Sequence, residues 1–324
     1  MKFEGLLTNN SAIKSVISRK DTASAYMFVC EDRVLLDEAV TLFLASRIGG
    51  DKAKTIARIE RNGFVDIKYY PQESEDKKSD RVLVSDVEAV IADVVYTPFE
   101  MDKKFYVIND ANTATEPAQN KLLKTLEETP QSSCIILKCT RANEILPTIK
   151  SRCVKVEIVG FSTEQIENEL SRFYVEDERF GFAVGVSRGF VGIAMQAMQD
   201  ESAYRLFSIV RETFLFMKTS KDLLHYSAKW LACKQNLNQL LDYTELLLSD
   251  LVLFDSKQGK NVRLKGNVKD LSDLNRAGYT SEVALKILPV ITEAKRKLDF
   301  NVNATSVVDG TLYSILEVKT KCQR

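Results

Sequence analysis

Between residues 25 and 158 the chain alternates short apolar runs with stretches of helical spacing, and this alternation limits its fold more than any other feature. The runs are AYMFV (25–29), VDIKYY (65–70), KFYVIN (104–109), SCIILKC (133–139) and CVKVEI (153–158). Their centres are apolar without strict alternation, as in strands buried on both faces. The intervening segments 33–48, 84–95 and 116–127 carry helical periodicity. Strands alternating with helices predict a parallel sheet covered on two sides. In the third helix Ala118, Leu122, Leu123 and Leu126 share a face, Thr115 stands at the N-cap position, and Pro117 falls in the first turn, where its missing N–H is tolerated. The polar stretch PQESEDKKSDR (71–81) reads as a solvated loop.

Past residue 158 β-type runs become scarce. Ser162 and Gln165 form a capping box opening a helix, and the glycines of RFGFAVGVSRGFVGIAMQAMQ read as a turn between short helices. Long amphipathic stretches then continue to the end of the chain. A length of 324 residues suits two or three cores. The expected division is an α/β domain at 1–159, a small helical domain at 160–202 and an all-helical domain at 203–324. No internal repeat or low-complexity tract occurs.

Composition narrows the function classes. Lysine plus arginine equals aspartate plus glutamate at 45 each, so no global field favours nucleic acid or an anionic membrane. A stand-alone nucleic-acid-binding module is disfavoured, since basic and aromatic clusters are also lacking. None of the six cysteines forms a CxxC pair, which argues against a zinc site or disulfide framework and for buried thiols in a reducing compartment. No stretch of about eighteen apolar residues occurs, and the expectation is a cytoplasmic protein without membrane contact. The single histidine, His225, lies in a helical pattern away from any nucleophile signature and reads as a surface or core-edge residue.

Three motifs in residues 103–158 carry a family resemblance: AQNKLLKTLEETP after a Walker-B-like strand, LKCT at a sensor 1 position, and LPTIKSRC before the last strand. In this order they resemble the AAA+ subunits of the bacterial DNA polymerase III clamp loader, in particular their delta-prime type. SAYMFV, YTPFEMDKKFYVI, VSRGFVGIAMQA and LDFNVNATSVVDGTLYSILEVK extend the resemblance more thinly along the chain. The resemblance implies a RecA-like five-stranded parallel sheet domain, a helical lid and a helical collar used for oligomerisation. Many members also insert a four-cysteine zinc module, and here no cysteine lies between Cys30 and Cys134.

A P-loop needs G-x-x-x-x-G-K-[ST], because glycines let backbone amides curl around phosphates that a lysine neutralises. Those four positions hold Cys30, Leu35, Leu36 and Asp37, with Glu31 and Asp32 adding negative charge. At the Walker B position Asn109 and Asp110 replace the Asp-Glu pair of an ATPase. The sensor-2 arginine would fall at or near Gly192. The expectation is therefore no bound cofactor in this chain, with ATP held by neighbouring subunits.

The resemblance gives Arg152 of the Ser151-Arg152-Cys153 triplet a role without a nucleotide of its own: an arginine finger reaching the γ-phosphate held by an adjacent subunit. A planar, permanently charged guanidinium suits that task. The competing reading is a strand-edge arginine paired with a carboxylate such as Glu157. Ser151 then fixes the loop through backbone bonding, and Cys153 is a small packed hydrophobe rather than a nucleophile. Thr140 is either a sensor-1 hydroxyl or a strand end. Gln119, Asn120, Lys121 and Lys124 face either a neighbour or DNA, or solvent. The implied partners are gamma/tau-type and delta-type subunits, the sliding clamp and primer-template DNA. The alternative within the family is a gamma/tau-like ATPase.

Overall fold

A computed structural model of the protein describes residues 1–19, 21–71, 81–255, 262–264 and 268–322. Most of the expected 71–81 loop lies outside these residues. The chain divides into two compact units, Met1–Gly160 and Phe161–Arg324.

The first unit contains β1 (Ala25–Val29), β2 (Ile67–Tyr70), β3 (Lys104–Ile108), β4 (Ser133–Cys139) and β5 (Val154–Glu157). All pair in parallel in the order β2-β3-β4-β1-β5, with Ala25 opposite Ile135 and Tyr26 opposite Val154. Its helices are α1 (Glu4–Asn9), α2 (Ser11–Ser18), α3 (Arg33–Ile48), α4 (Lys52–Glu60), α5 (Val84–Asp93), α6 (Glu116–Glu127) and the single turn α7 (Pro147–Lys150). With helices on both faces, this is the expected five-stranded parallel sheet covered on two sides.

The two-residue period of a strand divides β1 between two cores. Ala25, Met27 and Val29 join Val87, Val90, Leu122 and Leu137 in one apolar cluster. Tyr26 and Phe28 turn to the other face and meet Phe43 of α3, with ring centroids 4.7 and 5.4 Å apart. The second strand begins two residues later than its apolar run, because the fully buried carboxylate of Asp66 accepts hydrogen bonds from the amides of Phe99, Glu100 and Met101. Thr115 does occupy the N-cap of α6, yet its side chain makes no capping bond, and the helix starts on backbone geometry and Pro117 alone.

The second unit contains α8 (Thr163–Leu170), α9 (Glu178–Val186), α10 (Val191–Gln199), α11 (Glu201–Phe216), α12 (Ser220–Ala232), α13 (Leu237–Asp255), α14 (Val268–Arg276), α15 (Ser281–Asp299) and α16 (Ala304–Cys322). No strand occurs among its described residues. Ser162 and Gln165 cap α8 reciprocally at 3.3 and 3.0 Å. The glycines after it divide their work: Gly189 takes the turn with φ +87°, whereas Gly181, Gly185 and Gly192 lie inside helices. At Gly185 a Cβ would stand 2.5 Å from Leu264 Cδ2, so this glycine serves close packing rather than a turn. Phe182 of α9 lies 4.8 Å from Phe207 and 5.2 Å from Tyr243, ring to ring. The segments 160–202 and 203–324 thus share one aromatic core.

Among the described residues no helix is long and apolar enough to cross a membrane, and no acidic, histidine and cysteine side chains group as a metal site. All six cysteines are free thiols, and His225 is exposed beside Tyr226.

Candidate functional site

Only Cys30, Glu31 and Asp32 connect β1 to α3. Asp32 is 2% exposed, and its Oδ1 accepts from the amides of Val34 at 2.9 Å and Leu35 at 3.2 Å. A helix N-terminus after the first strand is where such folds hold phosphate. Here the chain's own carboxylate occupies it. Leu35 and Leu36, at the glycine and lysine positions of a P-loop, lie within α3 and are 0% and 2% exposed. Burial, reinforced by the charges of Asp32 and Glu31, pushes the Cys30 thiol up to about 12 against the hydrogen bond it receives from the Asp32 backbone.

Beside this helix end, Lys138 of β4 points its ammonium at two groups. It donates to Asn109 Oδ1 at 2.8 Å and forms an ion pair with Asp37. Asp37, Asn109 and Lys138 border a cavity of about 550 Å³ that Lys68 and Tyr69 also line. Asp110 adopts left-handed backbone with φ +44°, and its Oδ1 lies 3.1 Å from Arg33 Nη2. Asp37 and Asn109, from the two segments expected to be degenerate motifs, therefore share one lysine of the same chain. Gly192, at or near which a sensor-2 arginine would fall, lies in α10 of the second unit.

A polar chain leads from the end of β4 to the triplet. The amide and hydroxyl of Thr140 lie 2.9 and 3.3 Å from Asn112 Oδ1, and Asn112 Nδ2 donates to Glu144 Oε2 at 3.0 Å. The Thr140 hydroxyl thus has an internal partner. Gln119 is buried and no part of a docking face: Nε2 donates to the carbonyls of Ala114 and Glu144 at 3.1 Å each, and Oε1 accepts from the Leu146 amide at 2.8 Å. Lys121 pairs with Glu88, while Asn120 and Lys124 are exposed.

These contacts fix the approach to α7, after which Ser151 donates its hydroxyl to the Thr148 carbonyl at 3.0 Å. Arg152 follows with a side chain 35% exposed. Its Nη1 donates to Thr148 O at 2.8 Å, and its Nε donates to Glu127 Oε1 at 2.7 Å, with Nη2 completing the ion pair. Glu157 is not the partner, because it pairs with Lys155 at 2.5 Å on the same strand. Cys153 is half-buried against the apolar cluster, and burial pushes its thiol up to about 12, which leaves no thiolate for chemistry at neutral pH.

Asp32, Asn112, Glu127 and Lys138 were not singled out from sequence as site residues. Asp32 carries a readable signal, an aspartate just ahead of a helical pattern. The other three act through partners 25 or more residues away, and nothing local marks them.

Residues 8–162 match the protein-family model described as DNA polymerase III, delta subunit. A relative, DNA polymerase III subunit gamma of Buchnera aphidicola subsp. Schizaphis graminum, is 25% identical over 269 residues, 74% of this chain and 73% of its own length. Subunit tau of Escherichia coli is 30% identical over 119 residues, 37% of this chain, and the match spans only 18% of that protein's length. Among solved structures, a DNA polymerase III gamma-subunit-related protein of Thermotoga maritima is 16% identical with a TM-score of 0.42, covering 98% of this chain and 100% of that one.

Proposed function

We propose that this chain, a clamp-loader AAA+ protein of the DNA polymerase III family, is a non-catalytic subunit of the delta-prime type that supplies Arg152 to ATP held by a neighbouring subunit. The observation carrying this reading is the contrast between two poles of one domain. At one pole Asp32 engages the amides that would hold phosphate, and Lys138 lies between the degenerate motifs. At the other, an arginine with a third of its side chain exposed stands on a loop braced by a connected set of hydrogen bonds. A planar, permanently charged fork that stays partly exposed while one edge is held by Glu127 suits transition-state charge on a neighbour's γ-phosphate.

The gamma and tau relatives favour a second reading, an ATPase subunit of the same assembly. It requires the α3 amides to exchange Asp32 for phosphate. Calorimetric titration of the isolated chain separates the two: the proposed role gives no micromolar ATP affinity, and the ATPase role gives it.

In this reading the chain is cytoplasmic, the segments 160–202 and 203–324 act as lid and collar, and the partners are gamma/tau-type and delta-type subunits, the sliding clamp and primer-template DNA. The test is steady-state hydrolysis by reconstituted complexes, with assembly checked by gel filtration. Arg152→Ala is expected to leave assembly intact and to lower DNA- and clamp-stimulated ATPase partially, since other sites keep their own fingers. Arg152→Lys restores only part, because a point charge lacks the planar fork. Wild-type hydrolysis by an assembled Arg152→Ala complex returns this arginine to a structural role.

A further inference from the structure

The guanidinium of Arg152 is held by the last residue of α6. Glu127 Oε1 accepts from Nε at 2.7 Å and pairs with Nη2, while Nη1 donates to the Thr148 carbonyl at 2.8 Å and lies 3.5 Å from Ser151 Oγ. A guanidinium has five N–H donors in a fixed plane. Three of them are engaged by Glu127 and Thr148, which fixes that plane, and a fourth is held only loosely by Ser151. The side chain remains 35% exposed, with one Nη2 N–H unengaged and the Nη1 N–H toward Ser151 held only at 3.5 Å.

Helix stability does not account for this carboxylate. Glu127 ends α6, followed by Glu128, and negative charge at a helix C-terminus opposes the backbone dipole. An ion pair whose members are 35% and 48% exposed also contributes little to folding. What the contact does supply is orientation. A free arginine samples many rotamers, and fixing one before the phosphate arrives removes that entropy from the reaction barrier.

We infer that Glu127 is a positioning residue that holds the Arg152 guanidinium in the orientation in which it meets the neighbour's γ-phosphate. This rests on the trans-finger role above and adds to it a second residue and a direction of effect. The carboxylate binds the Nε side of the fork and leaves the remaining Nη2 N–H, with the loosely held Nη1 N–H, to the phosphate, so it orients the finger rather than competing for it.

The test uses the reconstituted complex, comparing Glu127→Ala, Glu127→Gln, Arg152→Ala and Glu127→Ala/Arg152→Ala for assembly, thermal melting and stimulated ATPase. Glu127→Ala is expected to assemble and melt like wild type and to show most of the loss in kcat seen for Arg152→Ala, with KM for ATP unchanged. Glu127→Gln keeps a carbonyl acceptor for Nε and recovers much of that loss. The double variant is no slower than Arg152→Ala alone, since Glu127 acts only through the arginine. If Arg152→Ala lowers hydrolysis while Glu127→Ala matches wild type, the positioning role is wrong and the finger stands. A rise in hydrolysis for Glu127→Ala overturns the inference in the other direction, because the carboxylate then restrains the finger. A double variant slower than Arg152→Ala overturns it too, by showing that Glu127 acts elsewhere. If Arg152→Ala itself is silent, the finger role and the inference fall together.

Discussion

Asp32 caps the N-terminus of α3 with its own carboxylate, and its removal distinguishes loss of stability from gain of function. Asp32→Ala removes an acceptor shared by two amides and is expected to cost about 1 kcal/mol in urea unfolding. It is expected to confer no ATP affinity in calorimetry, because Leu35 and Leu36 remain buried in the core and offer no glycine or lysine to a phosphate. The thiols offer a second residue-scale prediction. Burial pushes Cys30, Cys134, Cys139 and Cys153 up to about 12 from an ordinary value of 9.0. These groups are protonated in both states below the ordinary value, so their contribution to stability is then fully present. Above it the unfolded chain loses thiol protons that the folded chain keeps, and stability falls as pH rises toward the folded value. The slope is about 1.4 kcal/mol per pH unit for each thiol ionised only in the unfolded state. Urea midpoints measured from about pH 8 to about pH 11 should decline, and less steeply in Cys139→Ala.

The contact between α3 and β4 through Asp37 and Lys138 is the element-scale counterpart of that cap. Asp37 is 60% exposed and Lys138 14%, so the pair is partly screened, and a double-mutant cycle of Asp37→Asn and Lys138→Met should return a coupling of about 0.5–1 kcal/mol. Zero coupling would show that Asp37 adds nothing to the hold that Asn109 has on the lysine. Elements of this sheet were legible where burial is two-sided: each strand lies inside its apolar run, and α3 and α6 coincide with their periodic stretches. The smaller helices α1, α2 and α4 were not, since each buries only two or three side chains and is fixed by packing on a neighbour rather than by its own pattern. The Arg152 loop was legible as a motif, yet which carboxylate it pairs with was not: Glu157, the example nearest in sequence, is held by Lys155, whereas Glu127 comes from the far end of α6. Gln119 escaped for a similar reason, because its three hydrogen bonds run to a loop 25 or more residues on and to a carbonyl before its own helix.

At the scale of the whole molecule the question is where the chain can be cut. Met1–Gly160 is compact, with the full sheet and the Arg152 loop inside it, so a fragment ending at residue 160 is expected to fold alone and unfold cooperatively. A fragment ending at residue 202 retains α8, α9 and α10 but loses the partners of their core: Phe182 is fully buried against Phe207 and Tyr243, and Gly185 is pressed by Leu264. Stripping aromatic neighbours from a fully buried phenylalanine exposes an apolar surface that three short helices cannot cover by themselves. The longer fragment should therefore show no more helical ellipticity per molecule than the shorter one, and limited proteolysis should trim it back toward residue 160. Its melting transition should coincide with that of the 1–160 fragment, because the appended residues add no cooperative structure. The complementary piece, 161–324, should keep its helicity and, if the collar role is right, co-elute with a P-loop-bearing partner subunit while 1–160 does not. A protease-resistant 1–202 fragment with its own added helicity would instead make 160–202 an independent lid, folding without the aromatic core it shares with α11 and α13.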